Sequence, residues 1–169
     1  MRVLLASFLL LAACAPVPRA ETAQAAASET VVDAVGFRVS SWGKIVAEWQ
    51  ILPSGAATYT YSEGPERNAY TLFTKKFEVG PGGFAQIRAL LAPAERATAA
   101  MPDCGERWTD FPYGSATWHK GLIELALPFD FGCKNPGLVP VHQALRKAQE
   151  QMQSWSKDHP VVEQREANS

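Results

Sequence analysis

No apolar run in this 169-residue chain reaches the roughly 20 residues that a helix needs to cross a bilayer, so no membrane-spanning helix is expected. Charge of one sign is not in excess either. Sixteen Lys and Arg stand against 17 Asp and Glu, a formal charge of -1 without the basic footprint that nucleic acid binding requires. Histidine and cysteine number three each, and there is no C-x-x-C pair, no G-x-S-x-G elbow and no G-K-[ST] behind a glycine loop. These absences leave no cofactor, no metal site and no assigned catalytic residue among the expectations. What is present is a 47% apolar and 20% charged composition. That profile and length fit one soluble globular domain with a proper core.

The amino terminus departs from the globular profile. Met1-Arg2 carries one positive charge, and Val3 to Ala13 (VLLASFLLLAA) is an apolar segment broken only by Ser7. It is too short to span a membrane and has the features of a secretory signal peptide, so residues 1–13 are set aside from fold reasoning. Leu11-Ala12-Ala13-Cys14 then offers an aliphatic residue, two small residues and a cysteine. This start resembles the lipobox of bacterial lipoprotein precursors. The resemblance implies lipid attachment at Cys14, cleavage between Ala13 and Cys14, and a membrane anchor of several acyl chains, of which two already hold stably. In such lipoproteins an aspartate after the cysteine favours inner-membrane retention; here that residue is Ala15. The outer membrane of a diderm host, facing the periplasm, is the expected address.

With Cys14 assigned to lipid, Cys104 and Cys133 remain, and in an oxidising compartment they are expected to form a disulfide. Residues 14–30 form the lipidated cysteine and its tether. Ala15 to Thr30 (APVPRAETAQAAASET) holds two prolines, many alanines and one large hydrophobe, Val17. That composition favours a flexible linker, and sixteen residues reach at most about 55 Å when extended.

Residues 31–158 are expected to form a single α+β domain. Val35, Phe37 and Val39 alternate, as do Ile45, Ala47, Trp49 and Ile51. Pro53-Ser54-Gly55 marks a turn into a return strand with Ala57, Tyr59 and Tyr61, and Tyr70 to Val79 reads as a third strand. The cluster Gly80-Pro81-Gly82-Gly83 reads as a turn rather than a phosphate loop. A short helix through Phe84, Ile87, Leu90 and Leu91 is expected to end at Pro93. Ser115–His119 and Leu122–Phe129 suit a hairpin about Lys120-Gly121. Val141, Leu145, Ala148, Met152 and Trp155 form one stripe of a final helix, with Gln149 facing away. The expected architecture is a two-layer sandwich. An antiparallel sheet of about five strands, in the chain order β-β-β-α-β-β-α, carries two helices on one face, and residues 159–169 form a disordered tail.

Function is less legible. Trp42, Trp108, Tyr113 and Trp118 are candidate ligand-contact aromatics on an open sheet face. The preferred reading is a non-catalytic envelope lipoprotein whose domain binds an envelope protein or glycan. The alternative is a periplasmic hydrolase using the Asp110 to His119 region. Ser115 and His119 on one strand would stand about 13 Å apart, too far for proton transfer. Asp103 and Glu106 form a weak candidate cation pair, and His142 reads as a surface residue.

Overall fold

The computed structural model describes residues 31–64 and 69–168. The expected signal peptide, Cys14 and the expected tether therefore lie outside the described residues. The chain forms β1 (Ala34–Ser41), β2 (Lys44–Ile51), β3 (Ala56–Glu63), β4 (Ala69–Glu78), α1 (Gly80–Ala97), β5 (Tyr113–Lys120), β6 (Ile123–Asp130), a 3-10 turn (Pro136–Leu138), α2 (Val139–Ser156) and β7 (Val161–Asn168). All seven strands join one antiparallel sheet in the order β6-β5-β1-β2-β3-β4-β7. The α+β class and the helix pair are as expected; the strand count and order are not.

Two strands account for the difference. The alternating run from Val35 to Ile51 is a hairpin, folded at Trp42-Gly43 with φ of 53° and 84°. Two left-handed residues in succession match the right-handed twist of the flanking strands. A tryptophan there gives no sequence signal, because Asn, Asp and Gly are the usual occupants. The second difference is the tail. Val161–Asn168 pairs with β4 along its outer edge instead of fraying. Its residues are mostly exposed on both faces, so no apolar alternation marks it as a strand.

Alternation puts the apolar side chains on one face of the sheet. Val35, Phe37, Trp49, Ile51, Tyr59, Phe77, Trp118 and Leu127 are buried against Ile87 and Leu91 of α1 and Val141, Leu145 and Met152 of α2. Phe37 stacks between Trp49 and Phe129, 5.3 Å from each ring. Both helices cross the strands. α1 follows β4 and pairs its Glu95 with Lys120 at the end of β5, 3.0 Å away. α2 starts beside β6, and its last turn meets Lys75 of β4. Pro93 does not end α1. The helix continues to Ala97 because Leu91 and Ala94 are fully buried on either side of the proline, and Arg88 pairs with Glu95 across it at 3.2 Å.

The Gly80-Pro81-Gly82-Gly83 cluster is not a turn ahead of the helix but the first turn of α1, and it packs against Gly55. A Cβ at Gly55, whose φ is +91°, would lie 2.2 Å from the backbone of Gly80. The β2–β3 turn and the start of α1 thus meet backbone to backbone, with Val79 N–H donating to Gly55 O.

Candidate functional site

Among the described residues nothing covers the face of the sheet opposite the helices, and its alternate positions are polar. Register places Ser115, Arg38, Glu48, Thr60, Thr74 and Glu163 in one row across six strands. A neighbouring row holds Thr117, Gly36, Gln50, Thr58 and Lys76. Together with Arg165 and His119 they floor a hollow of about 720 Å³. Gly36 matters to its shape, since a Cβ there would lie 2.5 Å from Thr117 Oγ1. Thr60 and Thr74 share a hydroxyl hydrogen bond of 2.9 Å. Among the described residues, none of Arg38, Glu48, Lys76, Glu163 and Arg165 joins an ion pair, although Arg38 and Glu48 are direct register partners. One end of this face is apolar. An extra residue in β2, at Val46, turns Ile45 onto it, where it packs with Tyr70 and Leu72.

Of the four aromatics expected to contact ligand, three gather at one end of the sheet and one does not. Gly43 N–H donates to the Tyr113 hydroxyl at 3.2 Å, which seats the Trp42 turn beside the start of β5. Tyr113 pairs with Asp130, Phe131 N–H donates to Pro112 O, and Trp108 N–H donates to Gly132 O, so Trp108 follows on the same stretch. Trp108 stacks on Phe111 and carries Lys134 over its ring at 4.1 Å. Trp118 is the correction. It points to the helix side and is 0% exposed, because its place in β5 has the same parity as buried Ala116. Cys104 and Cys133 stand at disulfide distance, with Cα atoms 4.7 Å apart, and tie this loop to the end of β6.

The Asp110 to His119 region is spread along a loop and a strand. Asp110 lies in the loop before β5, and the strand itself sets the start of β5 at Tyr113 about 20 Å from His119 at 3.3 Å per residue. His119 faces Glu124 at 3.5 Å. Ser115 lies on the same face of the strand as His119, four residues away. Among the described residues no three of His, Cys, Asp and Glu cluster as a metal site. Glu106, the partner of Asp103 in the candidate cation pair, bonds Lys134 at 3.1 Å.

His142 is not the surface residue its position near the start of α2 indicated. Its ring meets Phe131 edge-on, and Nε2 is buried without a hydrogen-bond partner. Burial, followed by the Arg146 charge and opposed by Asp130, holds the imidazolium below its ordinary pKa of 6.5. The unfolded chain therefore binds the extra proton first, and stability falls as pH drops below that ordinary value. His142→Leu should flatten this acid-side loss in urea titrations at about pH 7 and about pH 5; an unchanged slope would contradict it.

Two features escaped the sequence reading. The open-face row was scattered over six strands whose order no periodicity reveals. Gln149 lies off the apolar stripe of α2 yet turns inward, accepting from Trp49 Nε1 at 2.8 Å and donating to the Tyr59 hydroxyl at 2.9 Å. Comparison of the chain with protein-family models, curated proteins and solved structures finds no match.

Proposed function

We propose that this chain is a cell-envelope lipoprotein, anchored through lipid on Cys14 and facing the periplasm, whose α+β domain is a non-catalytic binding module. The lipobox-like Leu11-Ala12-Ala13-Cys14 supports the anchor. So does the cysteine arithmetic: Cys104 and Cys133 use one another, which leaves Cys14 for lipid. With Ala15 after the cysteine, the outer membrane is the favoured location.

The observation that carries the binding role is the uncovered polar face with its unpaired charges of both signs. Charges of mixed sign held apart on a rigid sheet set partner choice and encounter rate by complementarity. Thr58, Thr60, Thr74, Gln50 and Thr117 floor the hollow, and the aromatics that line it, Phe37 and Trp49, are buried, which favours a polar protein surface over a sugar chain as the occupant. A photo-crosslinker placed at Thr60 in growing cells should give one discrete protein adduct. The adduct should be lost when Glu48→Lys and Lys76→Glu reverse the local charges while the circular dichroism spectrum is retained. An adduct formed only from position 108 or 111, or one dissolved by a muramidase, would overturn the assignment of this face to a protein partner.

A further inference from the structure

A second cavity lies on the other side of the sheet, where α2 leaves β3 and β4 partly uncovered. It has a volume of about 770 Å³ and is lined by Val46, Tyr59, Tyr61, Lys75, Gln149 and Gln153, among others. Its wall is aromatic: Tyr61 stacks on Phe73 at 5.5 Å and meets Tyr59 at 6.4 Å. The same bulge that turns Ile45 outward leaves Val46 at its mouth, 42% exposed.

The polar groups in this groove have a fixed direction. Trp49 Nε1 only donates, so the Gln149 carbonyl oxygen must face it and the Gln149 amide nitrogen must face Tyr59. The Tyr59 oxygen is thereby an acceptor from Gln149, and its own O–H has no acceptor among the described residues. Tyr59 is only 4% exposed. Burial, together with the neighbouring Tyr61, pushes its pKa upward against the Gln149 hydrogen bond, which keeps the hydroxyl protonated.

Lys75 stands directly opposite Tyr59 in the β3–β4 register, on the same inward face. A lysine between inward Phe73 and Phe77 is out of pattern, and its ammonium reaches the last carbonyls of α2. It donates to Ser156 O and Lys157 O at 3.1 Å each. An ammonium has three N–H donors, so one remains. It lies 5.8 Å from the Tyr61 ring centre. The charged groups lining the groove are Lys75 inside it and Lys157 and Glu150, both exposed at its rim.

Two unused donors, a net positive lining and an aromatic wall define a ligand by its chemistry. We propose that this groove binds a small carboxylate with an apolar or aromatic body, the carboxylate accepting from Tyr59 Oη and Lys75 Nζ and the body lying on Tyr61. A carboxylate fits because it is acceptor-only. The site is independent of the open face and of the anchor.

The test uses benzoate, benzamide and benzyl alcohol as probes of the purified full chain, followed by NMR shifts. Benzoate should move the resonances of Tyr61, Lys75 and Gln149 and bind at least about tenfold more tightly than the two neutral probes, as expected for one charge-assisted hydrogen bond. Tyr59→Phe should weaken benzoate by about tenfold, and Lys75→Met should erase its advantage over benzamide. Tyr61→Leu should weaken all three probes alike. Equal binding of benzoate and benzamide to the native chain, shifts confined to the open face, or no shifts at millimolar probe would each overturn the proposal. Should Tyr59→Phe fail to fold, the probe comparison in the native chain and Lys75→Met decide it.

Discussion

Replacing Cys104 and Cys133 together with serine is expected to lower the unfolding free energy by about 3.5 kcal/mol. The two cysteines are 29 residues apart, and closing a loop of that length removes conformational entropy from the unfolded chain. The enclosed segment contains the β5–β6 hairpin, whose outer strand is an edge with Leu122 and Ile123 exposed at its turn. Non-covalent contacts hold the loop as well: Lys134 N–H donates to Glu106 O, Asn135 N–H to Cys104 O, and the Asn135 side chain to Asp103 O. These should keep the loop in place in the folded variant. Urea unfolding of the native and double-serine chains, both in the absence of reductant, measures the difference. A loss below about 1 kcal/mol would mean that the unfolded loop is already constrained, contrary to the entropic account.

Trp118→Ala is expected to cost about 3 to 5 kcal/mol, as removal of a fully buried indole from a packed core does. Trp118 is 0% exposed, and its Nε1 is buried without a partner. That orphaned N–H makes a second variant informative. Trp118→Phe removes both part of the packing and an unsatisfied donor whose burial costs about 1 to 3 kcal/mol, so the two effects oppose each other. The expected net cost is under about 1.5 kcal/mol. Thermal or urea unfolding of both variants tests this. If Trp118→Phe destabilised as much as Trp118→Ala, loss of indole packing rather than relief of an unsatisfied N–H would dominate at this site.

Trp118 also shows how far periodicity reads. The alternation in β5 was visible in the sequence, but the face of the sheet that takes the helices depends on strand order. β5 pairs with β1 rather than with β4, the strand that precedes it in the chain, and this places Trp118 beside Val35 in the core. The α2 stripe from Val141 to Met152 was legible because a helix carries its pattern locally. Gln149 was not, because its inward turn is stabilised by two hydrogen bonds to side chains on β2 and β3 that lie 100 and 90 residues earlier.

The turn at Trp42-Gly43 and the edge strand β7 were missed for local reasons. A tryptophan at φ 53° breaks turn preference, and a strand exposed on both faces carries no hydrophobic period. The open-face residues were each visible as polar members of alternating strands. Their convergence into rows was not, since Arg38, Glu48, Thr74 and Glu163 meet only through the order β1-β2-β3-β4-β7. The disulfide pair, by contrast, followed from counting cysteines once Cys14 was assigned to lipid.

The anchor is the claim on which compartment, oxidation state and partner class all depend. Intact mass spectrometry of the protein recovered from the membrane fraction, with and without reduction and alkylation, tests it most directly. A chain that begins at Cys14 with added lipid mass, and two thiols that appear only after reduction, is the predicted result. A lipid-free chain that begins downstream of Cys14 would contradict the account.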